Sequence, residues 1–342
     1  MFYNQRMQGQ IFKIHSDFYY VKTQNGVVEC KITGVLKKRK DTIVVGDFVE
    51  LEQINENSKQ AFVAKVLPRE TYIPRPKVAN INQIVIVSAL KEPDLDFEQL
   101  NRYLAFCEYY KLKPILCFNK NDLDGEEEII TKIKKIYTPL GYDIIFTSAL
   151  EGNGIDGFKT ILNNKITVLC GSSGVGKSSL INAINPNLNI KTKQVSEKTE
   201  RGTHTTRHCE IINIDDNSRI VDTPGFSQLK FDFLMPAEIS TLFREIVEIQ
   251  KKNGSCKFSD CLHEKEIGCE ILNNIADIDE TRYQSYLQFV KEAKEYKKQV
   301  TYSGTKTESK SKFINDRHVT KISSKKRQIS RRKSNQEIEK EL

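Results

Sequence analysis

The sequence has no apolar run long enough to span a bilayer, and no amino-terminal stretch with the basic, apolar and small-residue plan of a secretory signal. These absences argue against a membrane-embedded or exported chain, and a soluble, cytoplasmic protein with no membrane partner is expected. In a reducing compartment the eight cysteines are not expected to form disulfides. Five of them, Cys30, Cys107, Cys117, Cys170 and Cys209, stand isolated and read as small core hydrophobes. His208 and His318 also lack ligand-like neighbours and read as structural or surface residues.

A chain of 342 residues is too long for one ordinary core, so two or three domains are expected. Of the net charge of +8, residues 301–342 carry twelve Lys or Arg against five Asp or Glu, which leaves the remainder close to neutral. This tail is poor in apolar residues, cannot build a core, and is expected to be disordered until it meets a polyanion.

Short runs of alternating apolar residues occupy 10–15, 18–23, 27–32, 43–51 and 61–66, with Asn25-Gly26 as a hairpin signal between two of them. Five short strands in this space suggest a small closed barrel of the OB type, a fold that often presents an aromatic and basic face to nucleic acid. Phe18, Tyr19 and Tyr20, with the loop Lys37-Lys38-Arg39-Lys40, supply such a face. Alternatively, the aromatics are core and the lysines merely solvated, which alternation alone does not decide. Pro68, Pro74 and Pro76 mark a linker. Beyond it, strands over 83–89, 114–118, 143–147 and 166–170 alternate with helices near 97–110, 126–136 and 155–162, the rhythm of a parallel sheet covered by helices. After about Phe231 the pattern is helical, with an amphipathic helix over 279–298.

Gly171-Ser172-Ser173-Gly174-Val175-Gly176-Lys177-Ser178 follows an apolar strand and precedes a helical run that opens at Ser179. This is the phosphate-loop pattern in its required context. Its glycines let backbone N–H groups turn toward phosphate oxygens, Lys177 reaches the outer phosphates, and Ser178 is placed to hold magnesium. Farther on, a strand ends in Asp222-Thr223-Pro224-Gly225. Asp222 would act on magnesium through water, and the Gly225 amide would sense the γ-phosphate.

Asn119-Lys120-Asn121-Asp122 matches the guanine-reading pattern of GTPases. A buried carboxylate at Asp122 accepts guanine N1–H and the 2-amino group, and adenine would leave it desolvated and unpaired. Asn119 would tie this loop to the phosphate loop, and the Lys120 stem would cover the base. Thr147-Ser148-Ala149 reads as the companion loop whose backbone amide meets guanine O6. These base motifs precede the phosphate loop, the reverse of the usual order. A doubly wound domain tolerates such a permutation because its termini lie close together. The order also makes the segment after Asp222 lead directly into the carboxy-terminal domain.

Cys256, Cys261, His263 and Cys269 lie within one short stretch, although the double Cys-x-x-Cys of a zinc ribbon is missing. Three thiolates and an imidazole have the composition of a closed, structural zinc site. The expected architecture is therefore multi-domain: an OB-type β-barrel over 1–70, a circularly permuted α/β P-loop domain over 71–233, a helical zinc-binding domain over 234–300, and the basic tail over 301–342.

The combination resembles the circularly permuted, ribosome small subunit-dependent GTPase A family (RsgA, also called YjeQ). The resemblance rests on the barrel, 119–122, 171–179, Arg201-Gly202-Thr203-His204-Thr205-Thr206-Arg207-His208, 222–225 and the Cys-x4-Cys-x-His-x5-Cys pattern. It implies a GTPase that binds the 30S subunit and 16S rRNA late in subunit assembly, hydrolyses GTP to GDP when the subunit stimulates it, and then leaves. A monomer with one structural zinc and a magnesium bound with GTP is expected. Phe226 stands where many GTPases carry a water-orienting glutamine, and a phenyl ring cannot orient water. The resemblance implies His204 as the catalytic substitute, with an rRNA contact or a plain loop histidine as alternatives. It also implies Thr206 as the magnesium-binding threonine, with Thr205 as the alternative. Gly174 stands where potassium-dependent GTPases usually carry Asn, which argues against potassium activation. Two rival functions are action on the large subunit or another RNA, and an RNA-binding module that holds GTP without turnover.

Overall fold

The computed structural model describes residues 7–39, 42–55, 58–74, 77–123, 127–190, 210–215, 217–222, 229–302, 311–314 and 317–320. Five strands, β1 (Met7–His15), β2 (Phe18–Thr23), β3 (Gly26–Ile32), β4 (Phe48–Asn55) and β5 (Gln60–Val66), close in the order β1-β2-β3-β5-β4-β1. Their inward residues, among them Ile11, Val21, Cys30, Val49, Leu51 and Val63, are fully buried. Thr23 pairs with Gly26, so the turn residues are Gln24 and Asn25, one position earlier than the Asn-Gly signal suggests.

Side-chain chemistry shifts two other expectations. The fourth strand begins at Phe48 because Asp47 turns the chain before it: its carboxylate accepts the Val44 N–H at 2.8 Å and the Arg69 guanidinium at 2.6 and 2.9 Å. Lys37 and Lys38 lie on a short helix, α1 (Gly34–Arg39), anchored by buried Leu36, rather than in a loop. The aromatic triplet divides: Tyr19 packs on the barrel core, and Phe18 lies beneath the Lys31 ammonium at 5.1 Å. The proline-marked linker carries its own antiparallel ribbon, β6 (Tyr72–Pro74) and β7 (Lys77–Ala79).

The central domain runs β8 (Gln83–Ala89), α2 (Phe97–Tyr109), β9 (Pro114–Asn119), α3 (Glu127–Tyr137), β10 (Asp143–Phe146), α4 (Ile155–Leu162), β11 (Ile166–Cys170), α5 (Lys177–Ile184), β12 (Glu210–Asn213) and β13 (Arg219–Asp222). The strand order is β10-β9-β8-β11-β13-β12, parallel except for β12. β8, β9 and β11 are near-continuous apolar runs because cores cover both faces of the sheet.

The first half of β1 closes the barrel against β4, and farther along the strand Lys13 stands opposite Glu210 of β12. The two side chains form an ion pair at 3.0 Å, and Arg219 donates to Gln10 Oε1 at 2.7 Å nearby. Barrel and central sheet are thus one continuous surface of eleven strands.

The carboxy-terminal helices α6 (Arg244–Asn253), α7 (Glu270–Asn273) and α8 (Glu280–Tyr302) gather around Phe231, Phe243, Tyr286 and Phe289. This domain docks on α2 through buried Arg282, which donates to Glu245 at 2.7 and 3.0 Å and to Asn101 Oδ1 at 3.0 Å. The tail holds a small antiparallel ribbon, β14 (Ser311–Ile314) with β15 (Arg317–Thr320), where disorder is expected from composition. Phe313, Ile314, Val319 and Thr320 are β-prone residues that a charge count conceals. Among the described residues no helix is long and apolar enough to cross a membrane.

Candidate nucleotide site and metal centre

The phosphate loop joins β11 to α5, and its backbone requires glycine at two close approaches. Gly171 has φ +145°, and a Cβ there would lie 2.0 Å from the Val87 carbonyl oxygen. Gly176, at φ +95°, would place one 2.2 Å from Asn119 Nδ2. Lys177 folds over the loop and donates to the Gly171 and Ser172 carbonyls at 2.8 and 2.7 Å. Gly176 caps α5 in the left-handed region, so the first N–H groups of that helix and the Lys177 ammonium converge on the loop. Ser178 and Ser179 sit in the first turn, both partly buried.

Asn119 is the junction of three loops. It is 1% exposed, donates from Nδ2 to the Val175 carbonyl at 3.0 Å, and accepts at Oδ1 from the Ala149 N–H at 3.1 Å and the Thr147 hydroxyl at 3.2 Å. The base-reading loop, its companion and the phosphate loop are thereby held together, although they are far apart in sequence. The Ala149 amide is engaged by Asn119 here, and buried Ser148 shapes its loop by accepting the Glu151 N–H at 3.0 Å. Lys120, at φ +64°, extends its ammonium to the Glu92 carbonyl. Asn121 donates its backbone N–H to the Thr147 carbonyl at 3.1 Å. Asp122 Oδ1 and Asn121 Oδ1 are buried and have no donor among the described residues. A buried carboxylate oxygen in that condition costs free energy unless a ligand supplies N–H groups, which guanine does.

Asp222 ends β13, opposite Glu210 and beside the strand that carries the phosphate loop. His204, Thr205, Thr206, Gly225 and Phe226 lie outside the described residues.

In the carboxy-terminal domain, Cys256, Cys261, His263 and Cys269 bring their ligand atoms within 4.8 Å of one another. His263 Nδ1 lies 3.5, 3.4 and 3.3 Å from the sulfurs of Cys256, Cys261 and Cys269, and Cys256 and Cys269 are 3.8 Å apart. Zn–S and Zn–N bonds at a tetrahedral angle would give edges of about 3.8 Å and about 3.6 Å. The donor set therefore fits one zinc ion in both composition and size. Burial lowers the His263 pKa, which favours the neutral imidazole a metal needs, and pushes the Cys261 thiol up to about 12.

Several supports escaped sequence reasoning. His263 Nε2 lies 3.4 Å from the Gln250 amide nitrogen, and turning that amide over would give Nε2–H an oxygen acceptor. The Tyr283 and Tyr286 hydroxyls donate to the His263 and Leu262 carbonyls at 2.7 and 2.8 Å. Burial opposes the charge on Glu266, but the backbone N–H groups of Leu262, Lys265 and Glu264 outweigh it and bring its pKa down to about 2. The only sequence signal for these groups is the position of two tyrosines on one face of a helix. Four of the five isolated cysteines behave as expected: Cys30, Cys107, Cys117 and Cys170 are buried, and burial pushes the Cys30 and Cys117 thiols up to about 12, whereas Cys209, like His208, lies outside the described residues.

A doubly wound domain whose base-reading loops precede a phosphate loop, with Asn119 bonding across them, defines a circularly permuted P-loop GTPase. Comparison with known proteins agrees along nearly the whole chain. Residues 8–63 match the family model described as the RsgA N-terminal domain, residues 66–232 that of the RsgA GTPase, and residues 166–306 that of a 50S ribosome-binding GTPase. A curated relative, "Small ribosomal subunit biogenesis GTPase RsgA" of Caldanaerobacter subterraneus subsp. tengcongensis, is 40% identical over 298 residues, covering 86% of this chain and 98% of its own. The crystal structure of YjeQ from Thermotoga maritima superposes with TM-score 0.72 at 32% identity, over 84% of this chain and 99% of that one. The structure of YloQ, described as a circularly permuted GTPase, gives TM-score 0.68 at 32% identity, over 85% and 96%. The chain belongs to the RsgA family, and it is a GTP hydrolase.

Proposed function

We propose that this GTPase acts in late maturation of the small ribosomal subunit: it binds the 30S particle and 16S rRNA as a monomer, hydrolyses GTP to GDP and phosphate when the subunit stimulates it, and dissociates. The name borne by relatives matched along almost their full length supports the partner. The observation that carries the chemistry is the Asn119 junction beside the orphaned carboxylate oxygen of Asp122. Gly171 through Ser179 cradle the phosphates, Lys177 reaches the outer ones, and Asn119, Lys120, Asn121, Asp122, Ser148 and Ala149 read guanine. Magnesium chemistry at this site supplies charge neutralisation on the β- and γ-phosphates, with Ser178, Thr206 and Asp222 as its protein partners. Gly225 senses the γ-phosphate, and His204 orients the attacking water in place of a glutamine. Cys256, Cys261, His263 and Cys269 hold a structural zinc. The chain divides at about 70, 233 and 300, and the basic tail adds nonspecific attraction to phosphates.

A second reading, action on the large subunit, draws on the match of residues 166–306 to the model described as a 50S ribosome-binding GTPase. The barrel weighs against it, because residues 8–63 match the family model described as the RsgA N-terminal domain. The deciding experiment measures hydrolysis alone and with isolated 30S, isolated 50S and free RNA. Strong stimulation by 30S only is expected, and His204→Ala should remove most of it while GTP affinity is retained. Equal stimulation by 50S would refute the small-subunit reading.

A further inference from the structure

Strands β1 and β12 meet at one position, Lys13 opposite Glu210, and a cavity of about 110 Å³ lies where they part. Its lining follows from the register of the strands. On the barrel side Gln10 of β1 pairs with Lys22 of β2, which pairs in turn with Val27 of β3. On the GTPase side Asn213 of β12 pairs with Arg219 of β13. Phe12 and Ile211 complete the walls, and both belong to the core of the central sheet. Phe12 sits where β1 loses its regular register with β2, between Ile11 and Lys13. Such bulges re-aim side chains and are frequent beside binding sites.

The cavity combines apolar walls with positive charge. Lys22 and Arg219 line it, and among the described residues no carboxylate does. Glu210, at the point where the strands meet, is already paired with Lys13 at 3.0 Å. Arg219 Nη1 donates to Gln10 Oε1 at 2.7 Å, and Gln10 is fixed in that orientation because its Nε2 donates to the Gly46 carbonyl at 3.1 Å. Gln10 is neutral, so it satisfies one N–H of the guanidinium and none of its charge. Arg219 Nε is buried and has no acceptor among the described residues. A buried donor on a cation costs free energy in that condition, and an anion would recover it. A carboxylate suits a guanidinium because its two oxygens accept two parallel N–H groups. With Nη1 engaged by Gln10, the edge formed by Nε and Nη2 presents such a pair. A single water could accept from Nε, but it would leave two cations unbalanced beside Phe12, Val27 and Ile211.

We propose that this cavity is a binding site for a small organic carboxylate whose apolar body is about the size of a benzene ring. The carboxylate pairs with Arg219 and Lys22, and the body fills the space between Phe12, Val27 and Ile211. An apolar cavity of about 150 Å³ holds benzene, and the smaller space here is extended by its mouth, where Lys22, Val27 and Asn213 are exposed. One wall belongs to the barrel and the other to the GTPase sheet, so the ligand bridges two domains. The site shares no residue with the nucleotide loops or the cysteine cluster, and it does not depend on the ribosomal partner.

Benzoate is the probe, titrated into the full-length protein and followed by ligand-observed NMR. Saturable binding at one site, with a Kd of about 1 mM or tighter, is expected. Benzamide keeps the shape and loses the charge, and inorganic phosphate keeps a charge and lacks the apolar body. Each should bind at least about tenfold more weakly than benzoate. Arg219→Lys keeps the charge but loses the paired donor edge, and it should weaken benzoate binding about tenfold. Should that variant not fold, Lys22→Gln at the exposed mouth decides, with an expected loss of about threefold. A saturating non-hydrolysable GTP analogue should leave the benzoate affinity unchanged. Absence of saturable binding, equal binding of benzamide or phosphate, unchanged affinity in the folded variant, or competition by the GTP analogue each overturns the proposal. Benzoate that fails to bind, together with a short single-stranded RNA that loses affinity in Arg219→Lys, would assign the cavity to RNA and overturn it as well.

Discussion

Asn119→Ala removes the side chain that joins the three nucleotide loops, and its cost follows from the bonds it makes. The Thr147 hydroxyl keeps a partner in the Cys117 sulfur at 3.5 Å. The Ala149 amide is freed to meet guanine O6. The Val175 carbonyl has no replacement for its 3.0 Å bond, and the truncation opens a void against Gly176. One buried carbonyl left unpaired, plus the slackened loop, costs about 2–3 kcal/mol, or roughly thirty- to a hundredfold in GTP affinity. Asn119→Asp should be worse at neutral pH, because a carboxylate then faces the Val175 carbonyl. It should recover in part on acidification, when the protonated acid can donate. Displacement of a fluorescent guanine nucleotide, measured from pH 5 to pH 8, gives both results. Affinity of the alanine variant within about threefold of wild type would refute the claim that this bridge organises the site.

Asp122→Asn exchanges an acceptor for a donor, so it should weaken GTP binding by about 2 kcal/mol or more and move preference toward xanthosine nucleotides; a competition assay that shows equal wild-type affinity for ATP and GTP would sink the guanine reading. Elemental analysis should find one zinc per chain, and chelation should unfold residues 256–269 while GTP binding persists; metal-free purified protein with a folded loop would contradict this. Glu266→Gln should destabilise the metal loop by about 1–2 kcal/mol at neutral pH, seen as earlier zinc release on heating. Because the folded pKa of Glu266 is depressed, its contribution is present above the ordinary carboxylate range and declines as pH falls toward about 2, so a variant gap that widens on acidification would be the wrong sign.

The candidate nucleotide site was legible because its residues carry chemistry that short patterns preserve. Glycines at close approaches, a lysine after them and a carboxylate in a base loop are local requirements, and the sequence spacing shows them directly. The cluster of Cys256, Cys261, His263 and Cys269 was legible for the same reason. Pairings between distant residues were not legible: Asp47 with Arg69 moved the start of β4, and Arg102 with Glu292 or Arg282 with Glu245 bring together charges that look, one at a time, like solvated surface. Helix α1 was hidden because four successive basic residues mask the one apolar anchor, Leu36. The junction of β1 with β12 was equally invisible, since a barrel strand that also meets a second sheet at one position, Lys13 opposite Glu210, has no distinct periodicity.

That junction has a consequence for how the chain can be divided. A sheet ending at β12 would show unpaired N–H and C=O groups along a strand that begins Glu210-Ile211-Ile212, a template for association with a second molecule. At the opposite rim, β10 is as short as β12, four residues, but it carries an ion pair, Asp143 with Lys113, a device that discourages such contacts. Among the described residues β12 has no charged guard of this kind except the pair it shares with the barrel. The barrel therefore also serves as the edge protector of the GTPase sheet, and a GTPase domain cut free of it should be prone to self-association.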